Sequence, residues 1–183
     1  MHVSLSKQEQ LALGMFEQDS HLIDVARRAA GITGSPVLGG VAVFLHGYRR
    51  TTEDVDLFVT DTDAAAEAIQ AAGALWDESA KQHTLDGVPI HLVTEQQTGS
   101  APRSTVVLQG VTVVALPDLI AFKLHSGLGR VERAKDLADV VELIRCVPLD
   151  KAFATQLPAH FRNDFKKLVQ AVHPGGPAQD ENT

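Results

Sequence analysis

Two aspartates, Asp54 and Asp56, stand at the start of an apolar run that looks like a strand, 55–59. Side chains alternate faces along a strand, so the two carboxylates share one face and lie roughly 6.5 Å apart along it. Two like charges on one face repel each other unless a cation lies between them. Ligand sets made only of oxygen suit a hard ion such as Mg²⁺. The spacing therefore predicts a metal site on this face.

A glycine pair, Gly39 and Gly40, precedes a short apolar run with helical character, and a basic, threonine-rich loop with Arg49 and Arg50 follows it. Glycine lets the backbone come close to a ligand. If a helix begins at the pair, its free N–H groups and dipole favour phosphate. The two arginines are candidates to offset phosphate charge. Together with the aspartates, these features indicate phosphoryl or nucleotidyl transfer.

The stretch from Gly39 to Asp56 resembles the signature of the DNA polymerase β-like nucleotidyltransferases, which is a glycine pair, a short helix and two acids spaced by one on a strand. The Gly-Gly-x-Ala opening and the Arg-x-Thr-x-Asp-x-Asp ending, which begins at Arg50, resemble more particularly the AbiEii group of toxin-like nucleotidyltransferases. The resemblance implies Mg²⁺ (or Mn²⁺) held by Asp54 and Asp56. The simpler alternative is an ordinary helix, loop and strand with two solvated aspartates.

The resemblance also implies a third carboxylate on a later strand, and His91 occupies that place in the segment 88–94. Because Ile90 and Leu92 are apolar, alternation predicts that His91 shares a face with the two aspartates. A histidine there could act as a general base, or join a metal site that prefers Mn²⁺ or Zn²⁺. It could instead mark lost catalysis, or have no chemical role at all.

A second resemblance to the AbiEii group lies further along the chain. That group carries a lysine on one helix and an Arg-x-x-(Lys/Arg)-Asp-x-x-Asp pattern at the start of the next. The residues that fit those places are Lys123, Arg130 or Arg133, Lys135, Asp136 and Asp139. Lys123 could neutralise triphosphate charge, and Asp136 could orient it. The alternative is helix-start acids and solvated lysines, which many helices have.

Hydrophobic periodicity and turn residues predict the remaining elements. Helices are expected at 4–17, 21–30, 64–72, from Pro117 to about 127, and at 132–145, 149–156 and 158–172. Strands are expected at 82–85, 88–94, 105–108 and 111–115. The predicted fold is α/β, with a small mixed sheet as the nucleotidyltransferase core over 1–115. A helical C-terminal region packed on that core follows over 116–173, and 174–183 is expected to be a disordered tail.

Composition limits the class of protein. The net charge of −7 argues against broad nonspecific binding of nucleic acid. One cysteine, no signal peptide and no apolar run long enough to span a bilayer predict a cytoplasmic protein. By resemblance, the substrates are a nucleoside triphosphate and an acceptor such as a tRNA end, and an antitoxin protein is an expected partner. Two rivals stay open, a small-molecule enzyme of the aminoglycoside-modifying kind and a nucleotide-binding or interaction protein that has lost catalysis.

Overall fold

A computed structural model describes residues 7–174 of the 183-residue chain, with side chains from Gln18 onward. Residues 4–6 of the first predicted helix lie outside this range. So does the predicted tail, except for Pro174.

A seven-stranded mixed sheet forms the centre of the molecule, with the strand order β3-β4-β5-β2-β1-β7-β6. Two neighbouring pairs, β2 with β5 and β1 with β7, run parallel, and the other pairs run antiparallel. This confirms the predicted small mixed sheet. The strands are β1 Val37–Leu38, β2 Val55–Phe58, β3 Leu75–Asp77, β4 Gln82–Leu85, β5 Val88–Val93, β6 Thr105–Leu108 and β7 Val111–Val114.

Strands β2 and β5 lie side by side in a register that fixes the two faces of the sheet. Asp56 lies beside His91, and Val55 lies beside Ile90. Val55 and Ile90 are 0 % and 1 % exposed, whereas Asp56 and His91 are partly exposed. One face of this strand pair is therefore core, and the opposite face carries polar groups at a surface.

The N-terminal helix α1 runs without interruption from Lys7 to Thr33. The prediction of two separate helices at 4–17 and 21–30 was wrong on this point. Asp19, which lies between the two predicted helices, pairs its carboxylate with Arg49. Beyond it the helix continues with a buried face that includes Val25, Ala26 and Ala29. Burial of that face, and not local capping, keeps the helix continuous.

In the sequence, the other helices lie between strands or come after the last strand. The glycine pair begins a helix and Pro117 lies in the first turn of another, as predicted. The segment 149–172 was predicted as two helices, and the structure has two 3₁₀ turns followed by one α-helix. The α-helices are α2 Gly39–Leu45, α3 Thr62–Ala71, α4 Glu95–Thr98, α5 Leu116–Gly127, α6 Ala134–Cys146 and α7 Arg162–Val172, and the 3₁₀ turns are Val131–Arg133, Lys151–Gln156 and Ala159–Phe161.

Helices α5, α6 and α7 form the helical region after the last strand, with α5 in contact with α2, α4 and α6. This arrangement brings α5 and α6 next to the end of β1 and the start of α2. Within residues 7–174, no helix combines the length and the apolar character needed to cross a membrane.

Candidate functional site

Asp54, Asp56 and His91 converge on the polar face of the β2–β5 pair. Nδ1 of His91 lies 3.3 Å from Oδ1 of Asp56 and 3.4 Å from Oδ2 of Asp54. One ligand atom from each of the three residues can be chosen so that all lie within 4.8 Å of one another. The hydroxyl of Thr52 donates a hydrogen bond of 3.0 Å to Asp54 and helps to fix it. Two carboxylates and an imidazole at this spacing can hold a divalent cation.

The second nitrogen of His91 is also engaged, because Nε2 lies 3.1 Å from the amide oxygen of Gln82. Gln82 comes from the neighbouring strand β4, one position beyond the His83–Ile90 pair. The hydrogen bond with Asp56 raises the pKa of His91 above its usual value. Burial opposes this effect, and the charges of Asp56 and Asp54 reinforce it. Without a metal ion, a protonated His91 balances part of the charge of the two aspartates.

Both glycines of the pair make room for side chains of the polar cluster. A Cβ added to Gly39, which has a φ of +65°, would lie 1.7 Å from Oδ2 of Asp56. A Cβ added to Gly40 would lie 2.2 Å from the Thr52 hydroxyl oxygen and 2.9 Å from a guanidinium nitrogen of Arg50. The structure thus gives both glycines a steric role in the site. Their direct contact with phosphate stays a prediction.

A cleft of about 290 Å³ begins at this cluster and extends towards α5 and α6. Its polar lining includes Asp56, His91, Lys123 and Asp136, so residues from both resemblances meet in one cleft. The other residues that line it are Leu38, Gly39, Leu92, Val93, Gln97, Thr98, Leu119, Phe122, Ser126 and Arg133. The lining combines apolar side chains with charged and polar ones, a combination that can receive a nucleotide.

Lys123 lies within a buried group of charges. Its Nζ is 2.6 Å from Asp136 and 2.8 Å from Asp139, and Nε of Arg50 is 3.0 Å from Asp139. The contacts of Arg50 Nε and of the Asp139 oxygen nearest Lys123 lack hydrogen-bond geometry, so charge attraction is what holds them. Ser126 donates a hydrogen bond of 2.6 Å to Asp136. This group ties the loop before β2 to helices α5 and α6.

The environment of Asp136 contains opposing influences on its pKa. Burial alone would raise it, but hydrogen bonds from Lys123 and Ser126, and the charges of Lys123 and Arg133, bring the pKa below its usual value. The carboxylate is therefore the favoured form near neutral pH. The sequence suggested Asp136 as a residue that orients Lys123, and the structure has the two side chains in contact at 2.6 Å; the role itself stays a prediction.

The structure does not bring the two predicted phosphate-binding arginines to the cleft. Arg49 is exposed, pairs with Asp19 at 2.8 Å, and lines a different depression beside α1. The guanidinium of Arg50 is directed at Asp139 beneath Gly40. Arg133, which sequence reasoning gave only as an alternative, lines the cleft instead. The sequence places Arg49 and Arg50 on a loop, but it does not determine the direction of their side chains.

A second depression of about 370 Å³ opens on the other side of His91. It contains Asp54, Glu53, Gln82 and Lys135, together with His91, Thr51, Thr52 and Pro89. His91 thus borders both depressions. The arrangement could place a nucleotide on one side of the three converging residues and a second reactant on the other.

Solved structures that share this fold include two from Helicobacter pylori. One is a proposed nucleotidyltransferase from H. pylori, with 15 % identity and a TM-score of 0.54 over 93 % of this chain and 96 % of that one. The other is JHP933 from Helicobacter pylori, with 16 % identity and a TM-score of 0.54 over 93 % and 94 %. No family model matches the chain, and no curated protein matches its sequence. At these identities the comparison confirms the predicted architecture and nothing finer.

Proposed function

We propose that this protein is a metal-dependent nucleotidyltransferase, which transfers a nucleoside monophosphate from a nucleoside triphosphate to an acceptor and releases pyrophosphate. The observation that carries the proposal is the convergence of Asp54, Asp56 and His91 at the boundary of two depressions. The donor set fits a divalent cation, because half-buried carboxylates brought this close are stabilised by positive charge between them. Bound there, such an ion supplies charge neutralisation for the transferred phosphoryl group.

The chain's own groups supply the binding of the triphosphate. Lys123 donates one hydrogen bond to Asp136 and only lies close to Asp139, so its ammonium group keeps donors for phosphate. The half-exposed guanidinium of Arg133 lies 3.1 Å from the Asp136 carboxylate and lines the same cleft. In this proposal Lys123 and Arg133 hold the phosphates, and Arg50 supports the site through Asp139. Asp136 orients Lys123 through the hydrogen bond of 2.6 Å between them.

The acceptor hydroxyl approaches from the second depression. With Nε2 of His91 committed to Gln82, Nδ1 is the nitrogen that faces the reactants. His91 can therefore use that nitrogen as a metal ligand or as a general base, but not as both at once.

The resemblance to AbiEii proteins supports a tRNA end as the acceptor, and with it a toxin role and a protein antitoxin as partner. The exposed cations Arg133 and Lys135, which line the two depressions, are compatible with an RNA backbone. A small cationic molecule is the second candidate. The second depression contains two acidic residues, Glu53 and Asp54, and one lysine, Lys135, and this excess of negative charge favours a cation.

Incubation of a cell extract with the protein and labelled nucleoside triphosphates tests the proposal, with mass spectrometry to identify the labelled product. We expect label in RNA or in a small molecule, and no transfer by Asp54→Asn, Asp56→Asn. Asp63→Asn, a change at an exposed acid in α3, is the matched control and should stay active. Equal labelling by the site variant and the control would refute the proposal. Nucleotide binding without transfer to any acceptor would instead favour a protein that kept the fold and lost catalysis.

A further inference from the structure

The contact between His91 and Gln82 determines which ring nitrogen of His91 is available to a ligand in the site. The Gln82 amide is oriented with its oxygen 3.1 Å from Nε2 of His91, and because a carbonyl oxygen only accepts hydrogen bonds, this orientation assigns a proton to Nε2. A neutral imidazole has one N–H group. A metal ion that binds in the gap between Asp54 and Asp56 takes the place of the proton on Nδ1, which lies 3.3–3.4 Å from both carboxylates, and meets the Nδ1 lone pair of the neutral ring.

We propose that Gln82 is a positioning residue that holds the His91 ring so that Nδ1 completes a site of two carboxylates and one imidazole, selective for a first-row transition-metal ion such as Mn²⁺ over Mg²⁺. The proposal deepens the proposed function, since it uses the same site. It concerns metal binding alone and needs neither nucleotide nor acceptor to be tested.

The chemistry of the ligands gives the direction of the selectivity. Mg²⁺ takes oxygen ligands in octahedral geometry and keeps much of its water, so a nitrogen ligand adds little to its binding. Transition-metal ions accept imidazole readily, and the nitrogen adds to their affinity. Three side chains on two neighbouring strands supply this mixed set, and the partner of the histidine comes from the next strand of the sheet.

The hydrogen bond between Gln82 and Nε2 of His91 should contribute measurably to metal affinity. A partner that accepts from the distal N–H of a ligating histidine fixes the tautomer and ring orientation and strengthens the nitrogen as a ligand. Loss of such a partner typically costs about 10–100-fold in metal affinity. Removal of the Gln82 amide should therefore weaken Mn²⁺ binding by roughly that factor. Mg²⁺ binding should change little, because it depends on Asp54 and Asp56.

Pulsed electron paramagnetic resonance of the Mn²⁺-loaded protein tests the ligand set directly. The full chain has eight histidines, so protein labelled with ¹⁵N-histidine is compared with the His91→Asp variant labelled in the same way. We expect a ¹⁵N coupling to Mn²⁺ in the wild type and none in His91→Asp. Mn²⁺ bound without nitrogen coupling in the wild type would overturn the proposal.

Dissociation constants for Mn²⁺ and Mg²⁺, measured by calorimetry without nucleotide, test Gln82. Gln82→Met keeps the size and removes the acceptor, Gln82→Glu keeps an acceptor, and Gln70→Met changes an exposed glutamine of α3 as the control. We expect Gln82→Met to lose Mn²⁺ affinity selectively and Gln82→Glu to retain it together with the ¹⁵N coupling. If Gln82→Met and Gln70→Met show the same Mn²⁺ and Mg²⁺ affinities, Gln82 has no positioning role. Absence of nucleotidyl transfer alongside the expected metal data would count against the proposed function only.

Discussion

Gly39→Ala is a sharp test of the geometry of the site, because the glycine makes two separate demands on any replacement. Its φ of +65° is unfavourable for alanine, which costs roughly 1–2 kcal/mol in the left-handed region. Gly39 also leaves space for the Asp56 carboxylate. A Cβ added at Gly39 would lie 1.7 Å from a carboxylate oxygen of Asp56, and real Cβ contacts essentially never fall below 3.0 Å. The carboxylate must therefore shift by at least about 1.3 Å.

Asp56 is only partly buried, with 22 % of its side chain exposed, so its carboxylate can swing away without unfolding the protein. Metal ligands must hold their distances to about 0.2 Å, so the shifted oxygen cannot bind the same ion. A displacement of about 1 Å at a reacting centre costs on the order of 100-fold in rate. We therefore expect Gly39→Ala to lose metal affinity and transfer activity by at least about this factor.

Gly34→Ala is the matched control, since Gly34 has the same φ of +65° and an added Cβ would meet nothing within 4 Å. Both variants should lower the melting temperature by roughly 2–8 °C, the shift expected for 1–2 kcal/mol in a chain of this size. Calorimetry with Mn²⁺ or Mg²⁺ then separates them, because only Gly39→Ala should lose binding. Equal metal affinities in the two variants would refute the steric role assigned to Gly39.

Three further predictions concern the charges around the cleft. Lys123→Met removes the cation between two buried carboxylates and should lower the free energy of unfolding by about 3–5 kcal/mol; urea denaturation measures this, and a loss below 1 kcal/mol would contradict it. The pKa of Asp136 is lowered in the folded protein, so its contribution to stability is full above its unfolded pKa near 3.8 and is lost as the pH falls through the lower folded value. Acid unfolding curves should show this loss in the wild type and not in Asp136→Asn. His91→Asp should raise Mg²⁺-dependent transfer relative to Mn²⁺-dependent transfer, and a wild type that is fully active with Mg²⁺ and better than His91→Asp would show that the histidine is an adapted base or lies outside the chemistry.

The parts of the structure that local patterns determine could be predicted from the sequence. Asp86 and Gly87 both have positive φ, at 50° and 82°, and join β4 to β5 as a hairpin. Alternation along β5 put His91 on the face of the two aspartates, because Ile90 had to be buried. Each of these inferences needed only a few consecutive residues.

Features that depend on tertiary contacts could not be predicted in the same way. Arg50 meets Asp139, which lies far away along the chain, and nothing near either residue in the sequence indicates the pair. The role of Gln82 requires knowledge of which strand lies beside β5. The edge strand β3 has no buried residue, so no alternation marks it. The continuous α1 depends on what its face packs against, which sequence periodicity over a short window does not contain.

The parallel pairing of β2 and β5 has a consequence for folding equilibrium. It brings together Asp56 and His91, which are 35 residues apart in the chain, so the three ligands are adjacent only when the strands are paired. A metal ion that binds this arrangement binds the folded protein and not the unfolded chain, and it draws the population towards the folded state by mass action. At a concentration 100 times its dissociation constant, such an ion adds about 2.7 kcal/mol to the free energy of unfolding. The melting temperature of this protein is then a direct readout of metal occupancy, and a thermal scan across a series of divalent ions ranks their affinities before any substrate is known.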